Sequence, residues 1–154
     1  MDLLSVKPKL NLYDYDWPIY SLWHADPPAK TVLEEHGRRA DVVDSLLAPG
    51  VVVSGGRVAR SILANRTFVD ENAVIEDSIV LAGVVVGKGA KIRRAIIDKW
   101  CKIPDGYQIG YDPVEDAKKF TVSDSGIVVV PIDYNFGALP SASAATSEPY
   151  SSWR

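Results

Sequence analysis

The sequence predicts an all-β fold, a parallel β-helix of short stacked coils, from three aligned columns of residues. Ser45-Leu46-Leu47, Ser61-Ile62-Leu63, Ser78-Ile79-Val80 and Ala95-Ile96-Ile97 recur at steps of 16, 17 and 17 residues. A second column, Val53, Val69, Val86 and Ile103, keeps the same beat, and so does a third, Val58, Ile75, Ile92 and Ile109. A constant spacing of this length means that one short structural unit is stacked on copies of itself. Nearly every member is β-branched or aliphatic, which suits strands that bury one side chain per turn. Apolar positions within a coil recur about every five or six residues, matching three strands and three corners per turn. An amphipathic helix is the competing reading, but runs such as Gly83-Val84-Val85-Val86-Gly87 combine poor helix formers with glycine breaks.

Taken in order, residues 1–39 show no coil period and read as an N-terminal arm or linker. Trp17-Pro18-Ile19 and Pro27-Pro28-Ala29-Lys30 read as extended chain, with a hairpin expected near His36-Gly37. Tyr13, Tyr15, Trp17, Tyr20 and Trp23 are dense for such an arm. No basic groove accompanies them, so packing along a β-helix face or into a partner subunit is expected over stacking on a nucleotide.

Residues 40–110 are the β-helix proper, about four coils from Asp41 to Gly110. Gly55-Gly56, Gly83, Gly87, Gly89 and Gly106 can take the positive angles of tight corners, and Asp70, Asn72 and Asp105 tolerate them. Coils stack at strand spacing, ~4.8 Å, so residues one period apart are neighbours. Asp44, Arg60, Asp77 and Arg94 then form an outward column of alternating charge. It reads either as a ladder that sets the register of the coils or as four separately solvated charges.

Residues 111–131 are expected to cap the last coil, because exposed solenoid ends invite edge pairing. Asp112 serves as N-cap, Pro113 occupies the first turn and Glu115 follows three residues after the cap, so a short helix should run to about Phe120. A strand, Ile127 to Val130, completes the cap. Residues 132–154 include GALPSASAATSEPYSSWR and are expected to form a flexible tail.

Composition narrows the function. A chain of 154 residues and 16.8 kDa is expected to hold one domain. A net charge of −3 offers no overall attraction for nucleic acid. No apolar run approaches the ~18 residues that cross a bilayer, and the first twenty residues lack the basic start and apolar core of a secretory signal. A lone Cys101 reads as a small packing residue, and a cytoplasmic location with no membrane partner is expected. There is no Gly-x-Gly-x-x-Gly loop to cradle a triphosphate and no paired carboxylates for magnesium.

The ordered set Asn11-Leu12-Tyr13-Asp14, Trp17-Pro18-Ile19, Pro27-Pro28-Ala29-Lys30, the coils, Arg93-Arg94-Ala95-Ile96-Ile97-Asp98, Ile103-Pro104-Asp105-Gly106, Ile109-Gly110 and Gly126-Ile127-Val128-Val129-Val130 resembles the C-terminal region of the ADP-glucose pyrophosphorylases. These are also called glucose-1-phosphate adenylyltransferases. The match runs from about Asp2 to Pro131. The resemblance implies a left-handed parallel β-helix, a hexapeptide-repeat solenoid. It also implies a regulatory and oligomerising role beside a nucleotidyltransferase domain that converts ATP and glucose 1-phosphate to ADP-glucose and pyrophosphate in glycogen or starch synthesis. ATP and Mg would belong to that domain, so this stretch alone is expected to be inactive, with no catalytic, cofactor or metal residues. Met1 coincides with the point where the family passes from its catalytic domain into the β-helix, as in a cloned domain, a truncated gene or a split protein.

Partners implied are pyrophosphorylase subunits, in a homo- or hetero-oligomer, and a phosphorylated metabolite as effector. Lys99, after the Ile-Ile-Asp segment, matches a basic position of bacterial members and is the candidate effector residue; a solvated corner lysine is the other reading. A second basic position of the family is occupied here by Ile132, which puts family-type activation in doubt. Other hexapeptide enzymes use histidine, as a general base or as three zinc ligands. This chain has only His24 and His36, both before the coils. The rival functional reading is a free-standing β-helix module that binds and modulates a separate full-length nucleotidyltransferase.

Overall fold

The computed structural model describes residues 2–6, 8–18, 25–32 and 39–137. Its first coil consists of β1 (Lys30–Val32), β2 (Asp41–Val43) and β3 (Leu46–Leu47), and its second of β4 (Val52–Ser54), β5 (Arg57–Ala59) and β6 (Ile62–Leu63). The third holds β7 (Phe68–Val69), β8 (Val74–Glu76) and β9 (Ile79–Val80), and the fourth β10 (Val85–Val86), β11 (Lys91–Arg93) and β12 (Ala95–Ile97). A last coil begins with β13 (Lys102–Ile103) and β14 (Gln108–Ile109) and passes into α1 (Pro113–Lys119), β15 (Thr121–Val122) and β16 (Val128–Val130). Equivalent strands of successive coils pair in parallel, giving three sheets that are the faces of a prism: β1-β4-β7-β10-β13, β2-β5-β8-β11-β14 and β3-β6-β9-β12-β16-β15.

The three sequence columns are in register in these sheets. Val53 pairs with Val69 and Val69 with Val86, while Val58 pairs with Ile75 and Ile75 with Ile92. Leu63, Val80, Ile97 and Val130 point inward from the third face, and all are fully buried. The axial core is thus a stack of aliphatic layers, one layer per coil.

The serine column does a separate job. Ser61 and Ser78 are buried, and each donates its hydroxyl to the carbonyl two residues earlier, Ser61 to Ala59 at 2.8 Å and Ser78 to Glu76 at 2.6 Å. Each hydroxyl oxygen also accepts from the backbone of the next coil. Ser61 N donates to Ser45 Oγ at 3.1 Å, Ser78 N to Ser61 Oγ at 3.2 Å and Ala95 N to Ser78 Oγ at 3.1 Å. Side-chain oxygens thereby satisfy amides that the corner turns away from the sheet ladder.

The described corners pass through left-handed backbone residues, and these form three columns. The first is Asp44, Arg60, Asp77 and Arg94 (φ +45° to +48°), the second Gly50, Arg66, Gly83 and Trp100, the third Gly55, Asn72, Gly89 and Gly106. The charged column is therefore also a corner column, which its side chains alone did not reveal. Gly56, Gly87, Asp70 and Asp105, expected to supply positive angles, do not. Gly56 and Gly87 are small because neighbouring coils approach closely: a Cβ on Gly87 would lie 2.7 Å from the Ile103 carbonyl oxygen. Asp70 and Asp105 instead accept backbone N–H groups, of Glu71 at 2.7 Å and Lys88 at 2.9 Å.

The alternating charges close one full rung. Arg60 Nε and Nη2 donate to both Asp77 oxygens at 2.7 and 2.8 Å. Asp44 adds only a Coulombic pull on Arg60, and Arg94 turns away to donate to the Ser125 carbonyl of the cap. The Arg60 hydrogen bonds hold the Asp77 carboxyl below its ordinary range. That stabilisation is complete above the unfolded carboxylate value, about 3.9, and is lost as pH falls through the depressed native value. Arg60→Glu is expected to lower Tm at pH 7 more than Lys102→Glu, and the difference should shrink in acid. Equal shifts at pH 7 would mean the rung sets nothing.

The first coil begins earlier than the sequence suggested. β1 lies in residues read as arm, and Lys30, Thr31 and Val32 pair with Val52, Val53 and Ser54. The step from Lys30 to Val52 is 22 residues, because eight residues separate β1 from β2 where two separate β4 from β5, and this hides the period. The expected hairpin near His36-Gly37 falls outside the described residues, as do His24, Tyr20 and Trp23. Asp26, whose side chain is 6% exposed, fastens the start of this coil by accepting from Arg66 Nε at 2.6 Å and Asn65 Nδ2 at 3.1 Å. Further back, Leu3 and Leu10 face Ile62, Ile79 and Ile96 across a groove of about 650 Å³ on the third face. Tyr13, Tyr15 and Trp17, expected to pack along a face or into a partner subunit, remain 69%, 92% and 68% exposed in the single chain.

At the other end the cap forms as its sequence signals indicate. Asp112 Oδ1 accepts from Val114 N at 3.0 Å and Glu115 N at 3.2 Å, and α1 stops at Phe120. β16 takes the place of a fifth strand on the third face, and β15, not anticipated, pairs antiparallel along its edge. Tyr134 and Phe136, placed by the sequence in the tail, join Phe120 and Tyr107 under the last coil with ring centroids 5.0 Å apart. Residues 138–154 of that tail lie outside the described residues. Cys101 is buried as expected, its thiol donating to the Pro131 carbonyl at 3.2 Å and pushed up in pKa by burial.

One helix side chain joins cap to coil. Asp116 is 4% exposed and its Oδ2 accepts from Gly110 N at 2.9 Å, while burial raises its pKa. Because the native value is the higher one, this group favours folding most at low pH and less as pH rises through that value. Asp116→Asn keeps a carbonyl acceptor without the buried charge. Its stability at pH 7 should equal or exceed that of the parent, with any gain vanishing below about pH 3.9. Asp116→Ala strands the Gly110 amide and should cost about 1–3 kcal/mol in urea unfolding. A loss for Asn as large as for Ala would show that the charge itself is needed.

Candidate functional site

Lys99 lies on the corner between β12 and β13. Successive corners stack there, so that Pro49-Gly50, Asn65-Arg66, Ala82-Gly83, Lys99-Trp100 and Ile132-Asp133 follow one another down one edge of the prism. Backbone bonds fix the stack: Gly83 N donates to Asn65 O at 2.9 Å, Trp100 N to Ala82 O at 3.1 Å and Asp133 N to Lys99 O at 2.9 Å. Asp98 Oδ1 accepts from Lys99 N at 2.7 Å and sets the turn. The lysine side chain is exposed.

Ile132 stands on the next rung of the same edge and is 55% exposed. The fold therefore brings together the two positions singled out from the sequence, residues 99 and 132, although 33 positions separate them in the chain. Only one of them carries charge. A single ammonium can make a point contact to an anion, without the forked grip an arginine gives phosphate.

Among the described residues no three of His, Cys, Asp and Glu stand close enough to hold a metal ion. No helix among them is long and apolar enough to cross a membrane.

Residues 27–130 match the family model described as GlmU-like, C-terminal hexapeptide. The chain belongs to this hexapeptide family. Its repeat accords with the left-handed parallel β-helix expected from the sequence, and the matched span begins three residues before β1 and ends with β16. The chain is also similar to proteins named glucose-1-phosphate adenylyltransferase. It is 50% identical to that of Thiobacillus denitrificans over 130 residues, which is 84% of this chain and 30% of the relative. The protein of Geobacter metallireducens is 51% identical over 131 residues, 84% of this chain and 32% of its own length. That of a Shewanella species is 48% identical over 134 residues, covering 86% and 32%. The chain thus spans about a third of the length of these curated relatives.

A feature of this edge that sequence reasoning passed over is Trp100. The signal was available in the column Gly50, Arg66, Gly83, Trp100, where a tryptophan occupies a place that otherwise favours glycine or a flexible polar chain.

Proposed function

We propose that these residues are the regulatory and subunit-assembling β-helix of a glucose-1-phosphate adenylyltransferase. The observation that carries this reading is the 50% identity over 130 residues to a protein of that name. The transfer of an adenylyl group from ATP to glucose 1-phosphate, with release of pyrophosphate, then belongs to the part of the relatives that this chain does not span, and ATP and Mg bind there. The location is the cytoplasm, where glycogen or starch precursors are made. Lys99 contacts a phosphorylated effector through its ammonium, and with Ile132 in place of a second cation the contact is weaker than a two-cation site provides. The arm, with Tyr13, Tyr15 and Trp17 in solvent, is the surface offered to partner subunits.

The test is pyrophosphate release from ATP and glucose 1-phosphate. The chain alone should release none. Fused behind the unmatched region of the Thiobacillus denitrificans relative, it should support turnover, and Lys99→Ala should reduce the response to a phosphorylated effector while leaving basal turnover in place. Pyrophosphate release by the chain alone would sink the assignment of chemistry to the unspanned region, and an inert fusion would sink the family role.

A further inference from the structure

Trp100 occupies a position where the backbone makes a large aromatic side chain costly. Its φ is +64°, in the left-handed region. A bulky residue held there is an outlier imposed by its surroundings, and such outliers gather at ligand sites. The indole lies across Gly83, where an added Cβ would stand 2.2 Å from Cε3 and Cζ3. Trp100 nevertheless keeps 50% of its surface exposed. A ring braced on a glycine and still open to solvent is a fixed apolar platform.

Beside it lies a cleft of about 350 Å³, lined by Trp100, Lys102, Asp133, Tyr134 and Asn135 among others. Its size falls at the small end of ligand clefts, roughly 300–1,000 Å³. The wall formed by residues 133–137 is held at several points. Asp133, itself at φ +50°, donates its N–H to the Lys99 carbonyl at 2.9 Å. Tyr134 and Phe136 pack edge to face at 4.9 Å. Asn135 Oδ1 accepts from Gly137 N at 3.0 Å, which orients the amide and leaves its NH₂ group to donate. The cleft is therefore preformed, and ligand binding need not order it.

The polar groups on its rim select the ligand. Asp133 accepts, Asn135 donates through its amide and Lys102 donates through its ammonium, which is the mixed set that hydroxyl groups satisfy. One cation opposite one carboxylate leaves no net charge for a phosphate. The negative face of an indole attracts the C–H face of a saturated ring. We propose that this cleft binds a neutral sugar, with one pyranose ring lying on Trp100 and its hydroxyls reaching Asp133, Asn135 and Lys102. The inference stands on the cleft alone and is independent of the family role; Lys99, whose carbonyl accepts from Asp133 N, is the neighbouring cation that the test removes.

The probe is D-glucose, whose equatorial hydroxyls leave a ring face free to stack, titrated into the whole 154-residue chain and followed by ¹H–¹⁵N NMR. Saturable shifts are expected at the Trp100 indole N–H and at the amides of 133–137. Trp100→Gly suits the left-handed corner, so it should keep or raise Tm while weakening binding about tenfold, the equivalent of about 1.4 kcal/mol. Asn135→Ala should weaken binding with Tm little changed. In a Lys99→Ala background, which removes the neighbouring ammonium beside Trp100, inorganic phosphate should leave these signals in place. The proposal is overturned if glucose produces no saturable shift there, if Trp100→Gly binds as the parent does, or if phosphate moves the same signals in the Lys99→Ala background.

Discussion

Gly110→Ala is expected to cost at least about 3 kcal/mol in urea unfolding, in the upper range for a single substitution. Gly110 has φ +83°, and a Cβ built on it would lie 1.7 Å from the Arg93 carbonyl oxygen and 2.9 Å from its carbonyl carbon. Arg93 belongs to β11, whose backbone is pinned between β8 and β14, so the obstacle is not a side chain that can swing aside. Any retreat of residue 110 would also stretch its bond to Asp116 and loosen α1 from the last coil. Gly106→Ala provides the comparison. It shares the left-handed backbone, φ +66°, but nothing lies within 4 Å of its added Cβ. Backbone strain alone predicts a loss of about 1–2 kcal/mol there. Similar losses at both positions would mean that close approach of the coils is not what demands glycine at 110.

Ile92→Ala is expected to lose about 2–5 kcal/mol, because it removes a fully buried side chain and leaves a cavity. Ile92 is the middle of an axial column, with Ile75 paired on one side and Ile109 on the other, both fully buried. Coil spacing is set by backbone pairing on all three faces, so the layers above and below have little freedom to close the gap. Ile96→Ala, on an outward and only half-buried side chain of the third face, should cost distinctly less. If the two lost equal stability, the axial column would not be the main store of packing energy.

The coils were legible because a solenoid repeats its core in sequence. Val53 to Ile103 and Val58 to Ile109 needed only counting, and their pairing in register follows from nearly identical coil lengths. The helix cap was legible for a local reason: Asp112, Pro113 and Glu115 act within one turn. What failed to show was whatever broke the period or depended on backbone angle. β1 was missed because eight residues lie between it and β2, where two lie between β4 and β5. The corner role of Asp44, Arg60, Asp77 and Arg94 was missed because the column drew attention by its alternating charge, and arginine, unlike aspartate, rarely adopts positive φ. Tyr134 and Phe136 stand just before a Ser- and Ala-rich stretch and were grouped with it, which hid their contact with Phe120. Of the candidate site, Lys99 and Ile132 were identifiable as positions, and their adjacency came from the fold. The cleft beside Trp100 required coordinates, since Gly83, Trp100 and Asp133 meet through three different coils.

The hydroxyl relay through Ser45, Ser61 and Ser78 gives the molecule a natural way to grow. Residues 61–77 make one whole coil, opening on a relay serine and closing just before the next. A tandem duplication of that block would meet its neighbours through the same serine contacts, the same three corners and the same aliphatic layer. Each copy would carry the capped end ~4.8 Å farther from the arm. The fold is in this sense a ruler with a fixed graduation, and the distance between whatever joins its two ends can be set by the number of coils alone.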